Sequence, residues 1–268
     1  MTDLNSSLCI TSVYSTALEL AGIEVPDDKD SADPIVKALA VKKLGCAKTD
    51  RTVILNPDAV AMWVYQKYTE KFVQAHLCSD VSVPKLSVMP SVTPVCFASM
   101  YSGVMPEIHG IRRYEKPVLT VETIFDSFIK AGKKCAIVST SGDSISMIFL
   151  NRNMDYYIYD TVEEVKAKAL ELIERDEYDL TVIYNGNYDS TMHRHGPEAP
   201  ESLAELDDNI SFYKELSDKI DSCWSNHNVF FGFCPDHGCH EIDGGCGSHG
   251  LDMQEDMNVI HFYAIKKL

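Results

Sequence analysis

Hydrophobic positions along this chain alternate between two periods. Short apolar runs read as buried strands at Arg51 to Asn56, Ser82 to Met89, Cys135 to Ser139, Leu180 to Tyr184, Val229 to Phe233 and Val259 to Ile265. Stretches of helical spacing lie between them. Asp33-Pro34 supplies an N-cap and a first helical residue for a helix reaching about Leu44. Further helices are predicted from Ala59 to about Leu77, Pro94 to Ser102, Thr120 to Ala131 (closed by Gly132), Thr161 to Arg175 and Glu201 to Trp224. Strands alternating with helices predict an α/β fold, a three-layer α/β/α sandwich with a mostly parallel central sheet. The chain is read as a single domain over 1–268, with residues 1–50 forming a helical N-terminal elaboration.

Composition narrows the partners. The formal net charge of -16 argues against a nucleic acid polymer, whose binding calls for a basic stripe. The same charge repels anionic substrates at long range, so a local positive charge must draw them in. No apolar run approaches the ~18 residues of a membrane span. The N-terminus carries neither a basic region nor a long apolar segment, which predicts no secretory signal. Nine cysteines, an odd number without paired spacing, predict reduced thiols and a cytoplasmic location.

The chemistry sits in likely turns after the predicted strands. The segments are Asn56-Pro57-Asp58, Ser91-Val92-Thr93-Pro94, Asp189-Ser190-Thr191-Met192-His193, Pro235-Asp236-His237-Gly238 and Gly247-Ser248-His249-Gly250. Three aspartates and three histidines suffice for two divalent cations, and Thr93 remains as a nucleophile. Without cations, carboxylates converging on one place would repel each other and any phosphate. Asp189 and His193 are four apart and share a face on a helical turn. Local sequence does not separate His193 from His195 as the ligand. Thr93 before Pro94 is placed at a helix N-cap, where free N–H groups and the helix dipole favour an anion. His240 and Asp243 are weaker ligand candidates. Cys234, Cys239 and Cys246 lack the paired spacing of a structural zinc site.

These segments resemble the alkaline phosphatase superfamily, in particular its type I phosphodiesterase/nucleotide pyrophosphatase branch, from about Arg51 onward. The most specific stretch is Pro90-Ser91-Val92-Thr93-Pro94 followed by Ser102-Gly103 and Pro106-Glu107-Ile108-His109-Gly110-Ile111. The resemblance implies an alkaline phosphatase-like fold and a phosphodiesterase or nucleotide pyrophosphatase activity. It assigns Thr93 as nucleophile. It assigns Asp189, His193 and His249 to one metal, and Asp58, Asp236 and His237 to the other. Zinc is the usual occupant, and manganese or iron also suit carboxylate and imidazole ligands. A phospho-threonine would form and be hydrolysed by water.

Two departures stand out. The family has Asp-Gly where this chain has Asp58-Ala59. It also has an Asn donor three residues after the nucleophile, where this chain has Cys96, a weak donor. Arg112, Arg113, Asn185 and Asn187 are candidates to replace it. The substrate is read as a small phosphorylated molecule. The alternatives are a phosphomonoesterase, a phosphonate hydrolase, or a degenerate member that binds metal or nucleotide without turnover.

Overall fold

Runs rich in Val, Ile and Phe form the strands of one seven-stranded sheet in a computed structural model that describes residues 8–267. In chain order the strands are β1 (Arg51–Pro57), β2 (Val81–Leu86), β3 (Cys135–Thr140), β4 (Asp155–Tyr159), β5 (Leu180–Asn185), β6 (Asn228–Phe233), β7 (His240–Ile242), β8 (Cys246–Ser248) and β9 (Asn258–Lys267). The sheet order is β2-β9-β6-β1-β5-β3-β4, and β7 and β8 form a separate hairpin. β1 pairs in parallel with β5 and β6, and β3 with β4 and β5. β9 runs antiparallel to β2 and β6. The sheet is mostly parallel, as the alternating pattern predicts.

The helices are α1 (Ser12–Leu20), α2 (Pro34–Leu44), α3 (Met62–Lys67), α4 (Val73–Cys78), α5 (Thr93–Ser102), α6 (Pro106–His109), α7 (Ile124–Lys130), α8 (Ser144–Ile148), α9 (Val162–Arg175), α10 (Asn187–His195), α11 (Pro200–Cys223) and α12 (Gln254–Met257). Period-two alternation in the strands divides the core into two layers. Ile54, Ile137, Val182 and Phe230 face one cluster, which holds Tyr14 and Leu18 of α1, Phe97 of α5 and Phe125 of α7. Val53, Val138, Ile183 and Phe231 face the other, with Leu172 of α9 and Tyr213 and Leu216 of α11. Helices thus cover both faces of the sheet.

Several expectations shift. The helix read from Ala59 to about Leu77 is broken into α3, a 3₁₀ turn (Thr69–Phe72) and α4. The Thr69 hydroxyl donates to the Tyr65 and Gln66 carbonyls (2.8 and 3.2 Å), a back-bond that bends helices. The strand read to Met89 ends at Leu86. Thr93 is the first residue of α5, with Val92 at the N-cap, because the Val95 and Cys96 N–H groups both donate to the Val92 carbonyl. β4 was not expected: its residues lie at a sheet edge, largely half-buried, so no clear alternation marks them. Helices α1 and α2 lie in the region expected to be a helical elaboration; its first seven residues are outside the described range. No helix among the described residues is long and apolar enough to cross a membrane.

Candidate active site

The parallel strands end on one side of the sheet, where α/β folds place ligands. Asp58 follows β1, Asp189 lies in the first turn of α10 after β5, and Asp236-His237 follows β6. Thr93 opens α5, and His249 follows the β7–β8 hairpin. The six proposed ligands form two triads. One holds Asp189, His193 and His249, and the other Asp58, Asp236 and His237, each with donor atoms within 4.8 Å of one another.

The first triad is nearly equilateral. His193 Nε2 lies 3.2 Å from His249 Nε2, and these nitrogens lie 3.3 and 3.4 Å from Asp189 Oδ1. In the second, His237 Nε2 lies 3.2 Å from Asp58 Oδ1 and 3.4 Å from Asp236 Oδ2. Four tetrahedral ligands on zinc bonds of about 2.0–2.1 Å sit about 3.3–3.4 Å apart. The donor spacing fits such an ion. His237 stacks on His249 with ring centres 4.0 Å apart, so the two triads adjoin.

Each histidine is turned by a backbone acceptor. The Nδ1–H of His237 donates to Gly238 O, that of His193 to Gly247 O and that of His249 to Ser91 O, each at 2.9 Å. A neutral ring so held presents an unprotonated Nε2 to the centre of its triad, the arrangement usual for metal-bound histidine. Glycine makes two of these contacts sterically feasible. A Cβ on Gly247 would lie 2.5 Å from Met192 Sδ, and one on Gly238 1.9 Å from Glu255 O. Gly238 therefore serves close packing.

The carboxylates are left short of partners. Asp58 Oδ1, Asp189 Oδ1 and Asp236 Oδ2 are buried oxygens with no hydrogen bond. Burial, then the charge of Asp189, raises Asp58 above the ordinary carboxylate range. Burial, then Asp58, pushes Asp236 well above it. The adjacent Asp189 carboxylate, 3.3 Å away, raises His193 to about 9, whereas burial, then His237, lowers His249 to about 3. Carboxylates that resist joint ionisation beside inward-facing imidazoles are the chemistry of a cation site.

Thr93 is 4% exposed, and its Oγ1 lies 3.4 Å from Asp58 Oδ2 and 3.3 Å from His237 Nε2. No side chain caps α5; Pro94 has no N–H and the Val95 and Cys96 N–H groups donate to Val92 O, so the helix offers an anion its dipole and the Thr93 N–H. Ala59 adopts φ 62, the left-handed conformation glycine takes freely. The residue after Asp58 thus takes a conformation that favours glycine, although it is alanine here.

A cavity of about 260 Å³ opens on Asp58 and Thr93. A second, of about 520 Å³, opens on Asp189, His193 and His249. Of the residues considered as substrate contacts, Asn187 lines the first cavity. Cys96 does not reach it: its thiol is buried against Ser87 Oγ (3.2 Å), and burial, then Asp236, pushes it well above its ordinary pKa. Arg112 donates to Glu107 O, and Arg113, 81% exposed, pairs with Glu115. Asn185 is fully buried, with Oδ1 accepting from Asn187 N–H. His195 belongs to neither triad. His240 instead pairs with buried Asp256 at 2.7 Å. Another cavity, of about 500 Å³, lies at the opposite ends of β3 and β4 beside Lys133 and Tyr178, away from this chemistry.

Sequence reading missed Tyr184, Tyr114 and Lys116. Tyr184 donates to Asp58 Oδ2 at 2.5 Å from the end of β5. It reads as one more apolar strand residue, and only its terminal position marks it.

Solved structures share this architecture. Human ectonucleotide pyrophosphatase/phosphodiesterase 5 matches at TM-score 0.61 and 14% identity, over 80% of this chain and 87% of that one. The fold is alkaline phosphatase-like, as the sequence led one to expect. The murine counterpart, in an inactive form in complex with AMP, matches at TM-score 0.58 and 18% identity over 73% of this chain. Phosphonoacetate hydrolase from Sinorhizobium meliloti 1021, in complex with phosphonoformate, matches at TM-score 0.54 and 15% identity over 74%. This chain spans 59% of the length of each of the last two. No family model and no curated protein matches the sequence.

Proposed function

We propose that this chain is a metal-dependent hydrolase of phosphate esters, of the phosphodiesterase/nucleotide pyrophosphatase kind. Thr93 is its nucleophile. Asp189, His193 and His249 hold one divalent cation, and Asp58, Asp236 and His237 hold the other. Zinc suits these ligands best, with manganese or iron next. The observation that carries the reading is the pair of triads at tetrahedral spacing beside Thr93 Oγ1. Cations bound there supply Lewis acidity toward a phosphoryl oxygen and favour ionisation of a nearby hydroxyl.

The chain's own residues position the reaction. Thr93 Oγ1 forms a bond to phosphorus as the bond to the leaving oxygen breaks. Water then cleaves the phospho-threonine and restores the hydroxyl. The dipole of α5 and the Thr93 N–H at its start favour the anionic phosphoryl group. Burial of Thr93 limits access by bulk water. Proteins of the same fold bind AMP, phosphonoformate and phosphonoacetate, which supports a small phosphorylated substrate. The compact cavity on Thr93 favours a phosphonate hydrolase as the second reading. The nine cysteines are free thiols, which suits the reducing cytoplasm included in this reading.

The test is turnover by metal-loaded protein on bis-p-nitrophenyl phosphate, p-nitrophenyl phosphate and a phenylphosphonate ester. Release of nitrophenol or phenol from at least one, lost on chelation, is expected. A fully metallated protein inert toward all three would contradict the hydrolase reading.

A further inference from the structure

We infer that Lys116 is a specificity-determining residue that recognises a second negative charge on the substrate, a few atoms from the phosphorus that Thr93 attacks. The inference rests on the phosphoryl-hydrolase reading of Thr93 and its neighbours.

Lys116 is the cationic side chain in the wall of the 260 Å³ cavity that opens on Thr93 and Asp58. Its ammonium donates to Gly142 O at 2.7 Å and lies 5.2 Å from the centre of the Tyr114 ring. Both partners orient the charge without neutralising it. Among the described residues no carboxylate pairs with it. Lys71, Lys85, Lys166 and Lys266, by contrast, each pair with an aspartate. In a chain with 40 acidic and 24 basic side chains, a half-buried lysine that faces the site without an acid is conspicuous. An ammonium has three donors, and the Gly142 carbonyl takes one.

The surrounding wall adds further donors. The Ser141 and Ser144 hydroxyls line the same cavity and make no hydrogen bond within the described chain. Asp58 and Asp189 line the cavity, where cations would receive the phosphoryl group. The Lys116 ammonium and the two hydroxyls line it as well, beside Asp143, whose carboxylate accepts from Ser139, Thr140 and the Ser146 N–H rather than from Lys116. The cavity's volume is below the roughly 300–1,000 Å³ typical of drug-sized ligands. A carboxylate or a second phosphate on a short linker fits this space and charge.

The experiment is calorimetric titration of zinc-loaded full-length protein with methylphosphonate, phosphonoacetate and methylenediphosphonate, repeated on Lys116→Met and Lys116→Arg. Wild type is expected to bind at least one doubly charged ligand about tenfold or more tightly than methylphosphonate, as one charge-assisted hydrogen bond provides. Lys116→Met should erase that advantage while methylphosphonate affinity stays within about twofold, and Lys116→Arg should keep most of it. An advantage confined to phosphonoacetate identifies a carboxylate, and one confined to methylenediphosphonate a phosphate. An advantage that persists in Lys116→Met, or is missing in wild type, overturns the role of Lys116 alone. Failure of the loaded wild type to bind methylphosphonate overturns the phosphoryl-hydrolase reading along with it.

Discussion

Removing the Tyr184 hydroxyl probes the proposed metal site without replacing a proposed ligand. Tyr184 donates to Asp58 Oδ2 at 2.5 Å, and both residues are buried. Burial and the nearby aspartates push the phenol well above its ordinary pKa, so it stays a donor. Tyr184→Phe keeps the ring, which packs edge-on against Phe97 with centres 5.7 Å apart, and opens almost no cavity. What is lost is one hydrogen bond to a charged group, worth about 1.5–3 kcal/mol. Asp58, already raised by burial, then rises further, since the Tyr184 bond acts to lower it. A proton thus competes better for the carboxylate that a cation needs. The expected result is about 10- to 100-fold weaker zinc affinity near pH 7, measured by competition with a chromophoric chelator. The sign with pH follows from the raised carboxylate. Asp58 deprotonates as pH rises through its folded value, so the deficit should shrink toward alkaline pH. Unchanged zinc affinity in Tyr184→Phe, or a deficit that grows with pH, would refute the reasoning.

Three further outcomes follow from the same structure. Thr93→Ala should abolish turnover with metal content retained, because Thr93 belongs to neither triad; turnover equal to wild type would exclude the covalent route. Lys85→Met should cost about 3–5 kcal/mol in urea unfolding, since it strands Asp33 in a buried pair closed at 2.5 Å; a loss under about 1 kcal/mol would mean that water reaches Asp33. Burial, then the charge of Lys85, lowers His261 from 6.5 to about 3, so the native state binds fewer protons than the unfolded chain between those values. That stability is complete above the unfolded value and is lost as pH falls, by roughly 4–5 kcal/mol. His261→Phe should flatten the fall between pH 7 and pH 4, and equal slopes in urea titrations of the two proteins would contradict this.

The sheet was legible because a parallel strand buried on both faces is a nearly continuous apolar and β-branched run, as at Thr52 to Leu55 and Leu180 to Tyr184. The edge strand β4 lacked that signature, since Tyr156 to Tyr159 are only half-buried. The break between α3 and α4 depends on a back-bond from Thr69 that helical periodicity does not register. At the site, the triad residues stood in recognisable segments after the strands, although Asp189 and His193 lie within α10 rather than in a turn. Tyr184 and Lys116 did not, because their significance lies in cross-chain contacts, to Asp58 and to the Gly142 carbonyl, that no local spacing encodes. Cys96 occupies the position where the family carries a donor, yet its side chain turns into the core; position in a motif did not reveal that direction.

The most direct test of the proposed two-cation site is the metal content of the purified chain after equilibration with zinc and removal of unbound ions. Elemental analysis should find two ions per chain in wild type and in Thr93→Ala, and one in Asp189→Asn or His249→Ala, which each cut a single triad. A wild-type chain that retains no zinc and whose melting temperature does not respond to zinc or to chelator would contradict the account at its centre.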